Sequence, residues 1–174
     1  MELNSKLIFI TGGARSGKSR HALTLGACYG RKAYLATGLA TDDEMRERIA
    51  RHKLERGPEW QTLEEPLDLG TIIEQAVKDF DLILIDCLTF WISNLLFKEG
   101  NERLVAEKIV ELKEQLTQRP CSFILVSNEV GMGIVPDNSV SRLFRDLVGF
   151  ANQEIAKVAD QAVFMVAGLP LEFK

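Results

Sequence analysis

The stretch GGARSGKS, residues 12–19, decides the fold, and it comes just after an apolar segment at residues 7–10. It fits the pattern Gly-x-x-x-x-Gly-Lys-Ser, in which backbone N–H groups wrap phosphates, the lysine reaches the outer phosphates and the serine hydroxyl can bind Mg²⁺. The pattern stands between a predicted strand and a predicted helix, as a P-loop requires. The sequence therefore predicts a nucleoside triphosphate site. Its phosphate contacts are Gly12, Gly13, Ala14, Arg15, Ser16, Gly17, Lys18 and Ser19.

Short apolar runs alternate with longer segments that have helical spacing, which predicts an α/β fold with parallel strands and crossover helices. A capping box at Thr41 and Glu44 predicts the start of the second helix. The predicted strands are residues 7–10, 33–36, 82–85, 123–126 and 162–166. The predicted helices are residues 17–29, 42–55, 69–77, 88–97, 104–116 and 139–159.

The composition limits the classes of protein to which the chain can belong. A chain of 174 residues with 46% hydrophobic content is expected to form one domain, residues 1–174. Its net charge of −4 argues against a partner such as nucleic acid. No apolar run approaches a membrane span and no signal peptide is recognisable, so we expect a cytoplasmic protein. The three cysteines lack a Cys-x-x-Cys pair and are expected to be free thiols, mostly in the core.

An aspartate, Asp86, ends the apolar run at residues 82–85. A second carboxylate at the end of a neighbouring strand commonly organises the metal in P-loop enzymes, so Asp86 and Ser19 are the predicted Mg²⁺ ligands. The alternative is that Asp86 simply ends a strand.

The most basic stretch of this acidic chain is residues 45–56, and His52 lies within it. Helical spacing places His52 on one stripe with Met45 and Ile49, so it is expected to face the body of the protein. One interpretation is a packed histidine. The other is a nucleophile, because neutral imidazole can attack phosphorus while neighbouring cations stabilise a leaving polyphosphate. His21, in the phosphate-loop helix, is given no chemical role.

Taken together, these residues resemble the bifunctional adenosylcobinamide kinase / adenosylcobinamide-phosphate guanylyltransferase family of cobalamin biosynthesis. The similarity runs nearly from end to end. The block SNEVGMGIVP and the histidine helix are more specific than the phosphate loop. The motifs that carry it include TGGARSGKSR at 11–20, Arg48-Ile49-x-x-His52-Lys53, Asp86-Cys87-Leu88-Thr89, SNEVGMGIVP at 127–136 and Gly168-Leu169-Pro170.

The resemblance implies two reactions: phosphorylation of adenosylcobinamide with ATP or GTP, then transfer of GMP from GTP to adenosylcobinamide phosphate through a guanylyl-histidine. It implies a RecA-like, three-layer P-loop domain with a mostly parallel sheet, assembled as a homotrimer. Position by position, it places the nucleophile at His52. It places nucleotide contacts at residues 12–19 and at Ala36, Thr37, Gly38, Lys53, Leu54, Glu55, Arg56, Glu64 and Asp86.

Some questions stay open at this point. Some relatives have two adjacent histidines where this chain has Arg51-His52, so His52 alone is available. The loop at residues 131–136 either shapes the corrinoid site or packs between subunits. Two other functions compete: a simple P-loop kinase in which His52 is structural, and a nucleotide-switched interaction module.

Overall fold

The computed structural model describes residues 5–40 and 42–174, and a seven-stranded sheet forms the centre of this part of the chain. The strand order is β3-β2-β4-β5-β1-β6-β7. Strands β1 to β6 run parallel, and β7 pairs antiparallel with β6. The strands are β1 Leu7–Gly12, β2 Lys32–Ala36, β3 Trp60–Glu64, β4 Leu82–Asp86, β5 Ser122–Val126, β6 Gln161–Val166 and β7 Leu169–Glu172. The helices are α1 Lys18–Gly26, α2 Asp43–Arg56, α3 Leu69–Ala76, α4 Leu88–Glu99, α5 Glu102–Thr117 and α6 Ser139–Val158.

Side chains alternate along each strand, so the sheet presents an apolar surface on both faces. Helices cover both of these faces. Phe9 and Ile85 point into the larger core, which holds buried residues of α3, α4, α5 and α6. Ile10 and Tyr34 point to the opposite face, where they pack with Ala22 of α1. We call this second side the α1 face. Burial on both faces explains why the inner strands are continuous apolar runs.

All the parallel strands end at one edge of the sheet, which we call the carboxyl edge. Gly12, Ala36, Asp86 and Val126 are the last residues of β1, β2, β4 and β5. Register places Ala36 beside Asp86, and Asp86 beside Val126. In open α/β sheets ligands bind outside this edge. The fold therefore gathers residues far apart in the sequence at a single rim.

Two strands and one helix cap depart from the sequence expectations. Strand β3 was not predicted because most of its residues are exposed, and β7 was not predicted because all four of its residues are exposed. The cap of α2 is Asp42, whose side chain accepts from Met45 N at 2.8 Å, so the cap predicted at Thr41 is wrong by one residue. Thr41 itself lies outside the described residues. Helix α1 ends at Gly26, three residues earlier than expected.

The expectation on the cysteines is met. Cys87 and Cys121 are buried and Cys28 is exposed, all as free thiols. Among the described residues, none of the helices combines the length and apolar character needed to cross a membrane.

Candidate active site

The phosphate loop joins β1 to α1, and its backbone requires glycine at two positions. Gly12 and Gly17 have φ values of 146° and 96°, a region that L side chains rarely adopt. A Cβ atom on Gly12 would lie 2.5 Å from the carbonyl oxygen of Met165 in β6. The loop therefore has its predicted shape because β1 and β6 approach closely beneath it.

We predict that Gly12→Ala weakens nucleotide binding by about fivefold to 150-fold, because relieving the contact with β6 distorts the loop at a cost of about 1–3 kcal/mol. Titration with a fluorescent GTP analogue measures the affinity. Gly149→Ala is the control, since a Cβ atom there meets nothing within 4 Å in helix α6. Unchanged affinity in Gly12→Ala would show that the loop tolerates a side chain at this position.

Lys18, the first residue of α1, is held over the loop. Its Nζ donates to the carbonyl oxygens of Gly12 at 3.1 Å and Gly13 at 2.6 Å, and the residue is only 7% exposed. Gly13, Ala14 and Arg15 at the crest of the loop are exposed. The ammonium thus lies directly beneath the surface on which phosphates would rest.

The turn between β6 and β7 supports the loop from the side. Gly168 N donates to the carbonyl oxygen of Ser16 at 3.0 Å, and a Cβ atom on Gly17 would lie 3.3 Å from Gly168 Cα. The Ser16 hydroxyl is buried and has no hydrogen-bond partner among the residues that the structure describes. Sequence reasoning missed this support, although the resemblance did include the Gly168-Leu169-Pro170 block.

Asp86 ends β4, two strands from β1 and so roughly 10 Å from it along the sheet. The expectation that it ends a strand neighbouring β1 is wrong, because β5 lies between the two. Its Oδ2 accepts from the Tyr34 hydroxyl at 2.8 Å. Burial, and then the charge of Asp86, raise the pKa of Tyr34, so this hydroxyl is the donor. Burial and the same charge raise the pKa of the Cys87 thiol to about 12, which makes Cys87 unsuited to act as a nucleophile.

The residues present fit a metal ion that arrives with a nucleotide. No cluster of three or more metal-ligating side chains occurs within residues 5–40 and 42–174. Mg²⁺ is usually bound through one or two carboxylates together with substrate phosphates and water. Asp86 supplies one half-buried carboxylate, and the half-buried Ser19 supplies a hydroxyl in the first turn of α1. This donor set suits Mg²⁺ held jointly by protein and phosphate.

Helix α2 lies over the α1 face beside β2, and it is attached at both ends. Near its start, a Cβ atom on Gly38 would lie 3.7 Å from the Met45 methyl group. At its end, the guanidinium carbon of Arg56 lies 3.8 Å from the centre of the Tyr34 ring. Gly38 follows β2 and Tyr34 lies within it. The start of α2 is therefore joined to the segment after β2, and its end to β2 itself.

His52 lies on the partly buried stripe of α2, together with Met45 and Ile49, as its spacing predicted. It precedes Arg56 by four residues, which is about 6 Å along a helix. Arg56 stacks on Tyr34, and Tyr34 donates to Asp86. His52 therefore lies on the helix that is joined to Asp86 through these two contacts.

The other predicted nucleotide contacts divide into open and buried groups. Lys53 Nζ and Glu64 Oε1 form an exposed ion pair at 2.6 Å, and Leu54 is exposed. Thr37 is fully buried, and its hydroxyl donates to Cys87 O at 2.7 Å and accepts from Cys87 N at 2.9 Å. Thr37 thus ties the ends of β2 and β4 together. Glu64 lies four strands from β1, roughly 19 Å away, and the Glu55 side chain lies outside the described part of the chain.

The block SNEVGMGIVP begins against the phosphate loop. Glu129 N donates to the carbonyl oxygen of Gly12 at 3.0 Å, and Asn128 N donates to Thr89 Oγ1 at 2.8 Å. Farther along, Ile134 is almost fully exposed. The first half of the block supports the site, and the second half is an open apolar surface.

Comparison with known proteins decides the family. The profile of the CobU family, described as cobinamide kinase / cobinamide phosphate guanyltransferase, matches residues 8–173. The chain belongs to this family. It is thus a bifunctional cobinamide kinase and cobinamide-phosphate guanylyltransferase of cobalamin biosynthesis, which confirms the predicted family and function.

Three relatives of this kinase and guanylyltransferase are similar over nearly their whole length. The bifunctional adenosylcobalamin biosynthesis protein CobP of Pseudomonas aeruginosa is 45% identical over 166 residues, which is 95% of each chain. The proteins named CobU of Salmonella typhimurium and Escherichia coli are 40% and 36% identical over 180 residues. Each of these alignments covers 97% of this chain and 99% of the relative.

Solved structures confirm the fold class alone. A KaiC-like protein from Pyrococcus horikoshii has a TM-score of 0.52 and 18% identity, over 91% of this chain and 70% of its own. An ATPase of a bacterial type III secretion system also has a TM-score of 0.52, with 14% identity over 91% of this chain and 50% of its own. These likenesses agree with the predicted α/β P-loop fold and its mostly parallel sheet.

Proposed function

We propose that this enzyme acts on adenosylcobinamide in two steps that share one nucleotide site, and that His52 carries the GMP group between them. The observation that supports this proposal is that the phosphate loop and Asp86 both lie at the carboxyl edge, while the end of α2 contacts Tyr34 on the face that also carries α1. A single bound triphosphate could contact all three.

In the first step, the hydroxyl of adenosylcobinamide's aminopropanol arm attacks the γ-phosphorus of ATP or GTP, and the bond to the β-phosphate oxygen breaks. Such phosphoryl transfer depends on positioning and charge stabilisation. The loop amides and Lys18 hold the phosphates, and Ser19 and Asp86 would hold Mg²⁺. When bound, Mg²⁺ neutralises the charge that develops on the phosphate oxygens.

In the second step, a ring nitrogen of His52 attacks the α-phosphorus of GTP, a P–N bond forms, and pyrophosphate leaves. A phosphate oxygen of adenosylcobinamide phosphate then attacks the same phosphorus, the P–N bond breaks, and His52 is restored. A covalent intermediate of this kind divides one difficult transfer into two easier ones. Lys18 and the cations of α2 stabilise the departing pyrophosphate.

The assembly and remaining contacts are part of the same proposal. Gly38, Lys53, Leu54 and Glu64 contact the nucleoside, since they lie on the α2 side of the rim. The protein works in the cytoplasm as a homotrimer, as the family resemblance implies. Exposed apolar side chains of β7, among them Leu169 and Leu171, offer a surface for subunit contact. Light scattering measures the subunit number.

The direct test is an assay with adenosylcobinamide as the acceptor, followed by mass spectrometry. With GTP, we expect adenosylcobinamide phosphate first and the GDP-linked product later. With ATP alone, only the phosphate is expected. If GTP yields neither product from a folded protein, the proposal is wrong.

We predict that Asp86→Asn raises the Mg²⁺ concentration needed for half-maximal rate by about tenfold or more, because the amide keeps the shape of the carboxylate but removes its charge. Nucleotide affinity without Mg²⁺ should change little. Steady-state rates across a Mg²⁺ titration provide the measurement. Asp79→Asn, at an exposed site after α3, is the control. An identical Mg²⁺ response in both variants would show that Asp86 simply ends a strand and does not hold the metal.

A further inference from the structure

Tyr34 contacts two separate parts of the site, and the proposed mechanism gives it no role. It is 3% exposed and lies within β2. Its hydroxyl donates to Asp86 Oδ2 in the adjacent strand, at 2.8 Å. The second contact is made by the ring: the guanidinium carbon of Arg56 lies 3.8 Å from the centre of the Tyr34 ring. One side chain thus touches both the carboxylate expected to hold the metal and the end of the helix that carries His52.

The ring of Tyr34 is held in place by its surroundings. Trp60 of β3 packs against it edge-on, with ring centres 6.4 Å apart and planes at 87°. Arg56 is itself 5% exposed, so its stacking on the ring takes place away from bulk solvent. Because the ring is held in place, its hydroxyl group is directed toward Asp86.

The hydrogen bond also selects which oxygen of Asp86 is left for a ligand. Oδ2 accepts from Tyr34, so Oδ1 is the oxygen that this hydrogen bond leaves for a cation. Groups that hydrogen-bond to a metal ligand orient it, and their loss typically costs about 10–100-fold in metal affinity or activity. A carboxylate anchored at one oxygen loses less freedom when the other binds a cation.

We propose that Tyr34 is a positioning residue that orients Asp86 for Mg²⁺ and seats the end of α2, so that the metal and His52 keep a fixed relation. This inference rests on the proposed function, because it takes Asp86 as the metal-side carboxylate and His52 as the nucleophile. The competing explanation is that Tyr34 only fills the core and that its hydroxyl happens to find a partner.

The chain provides a matched control for the hydroxyl, since it contains two tyrosines. The Tyr29 hydroxyl donates at 3.2 Å to Oγ of Ser122, the first residue of β5, and therefore lies far from the carboxyl edge. Tyr34→Phe and Tyr29→Phe each remove one partly buried hydrogen bond and keep the ring. A purely structural role predicts that both variants lower Tm slightly and leave metal binding unchanged.

The first measurement is Mn²⁺ binding to the protein saturated with an α,β-methylene analogue of GTP, followed by electron paramagnetic resonance. For Tyr34→Phe we expect the Mn²⁺ dissociation constant to rise about tenfold, whereas Tyr29→Phe should match the wild type. The Mg²⁺ concentration for half-maximal formation of the GMP adduct should rise in parallel. Wild-type Mn²⁺ affinity in Tyr34→Phe would overturn the inference.

A double variant shows whether Tyr34 acts through Asp86. In the Asp86→Asn background, the additional Tyr34→Phe change should have little further effect on Mn²⁺ binding, because the group it orients is already altered. Full additivity of the two changes would contradict the inference.

These results separate failure of this inference from failure of the proposed function. If Asp86→Asn binds Mn²⁺ normally, the metal assignment itself is wrong. If Asp86→Asn is impaired and Tyr34→Phe is not, only the role of Tyr34 is wrong.

Discussion

His52→Asn, incubated with GTP and Mg²⁺ in the absence of any corrinoid, should gain no mass, whereas the wild-type protein gains one GMP and releases pyrophosphate. The asparagine amide cannot attack phosphorus, and no other histidine lies on α2. The adduct should be labile in acid and stable in base, as expected for a P–N bond. Intact-protein mass spectrometry and a pyrophosphate assay provide the two measurements.

The same variant should retain at least part of its adenosylcobinamide kinase activity, because direct phosphoryl transfer requires no nucleophile from the protein. His21→Asn is the control. His21 is partly buried on α1, and burial lowers its pKa, but the mechanism gives it no part in the chemistry. A GMP adduct that persists in His52→Asn, or guanylyl transfer at the normal rate, would return His52 to a structural role.

Lys18→Ala should lower both reactions by about 10²–10³-fold, the usual cost of removing one group that stabilises developing charge. Both steps need the polyphosphate held in the loop, so the two rates should fall together. The ammonium donates to the carbonyl oxygens of Gly12 and Gly13 in the phosphate loop, and we expect the fold to survive its loss because Lys18 serves the ligand. Initial rates of each half-reaction give the comparison.

Lys78→Ala, at an exposed position after α3, provides the matched control for charge. Circular dichroism establishes that the variants are folded. If Lys18→Ala is folded and retains near-normal rates in both reactions, the phosphate loop is not the working site.

The central fold could be predicted from sequence because its inner strands are buried on both faces and therefore consist of apolar runs. Strand β4 is an example. The edge strands β3 and β7 could not be predicted in this way. Trp60 is the buried residue of β3, and the other four positions of that strand are exposed to differing degrees, so no apolar run marks it.

The candidate site divides along similar lines. Local patterns predicted the phosphate loop and the inward-facing stripe that contains His52. Tyr34 could not be assigned from its own segment, where it is simply one aromatic residue in an apolar strand. Its contacts with Asp86 and Arg56 depend on the register between β2 and β4 and on the docking of α2. Pairings between distant segments are not encoded in local periodicity.

The hydrogen bond from Gly168 to Ser16 has a consequence for the order in which the enzyme is completed. The phosphate loop is synthesised before α1, yet its lateral support comes from a hairpin that leaves the ribosome after the six helices that the structure describes. A nascent chain that already carries every residue of the phosphate-binding motif therefore still lacks the hydrogen bond that supports the loop from the side. Nucleotide is expected to stabilise the finished protein much more than any shorter translation product.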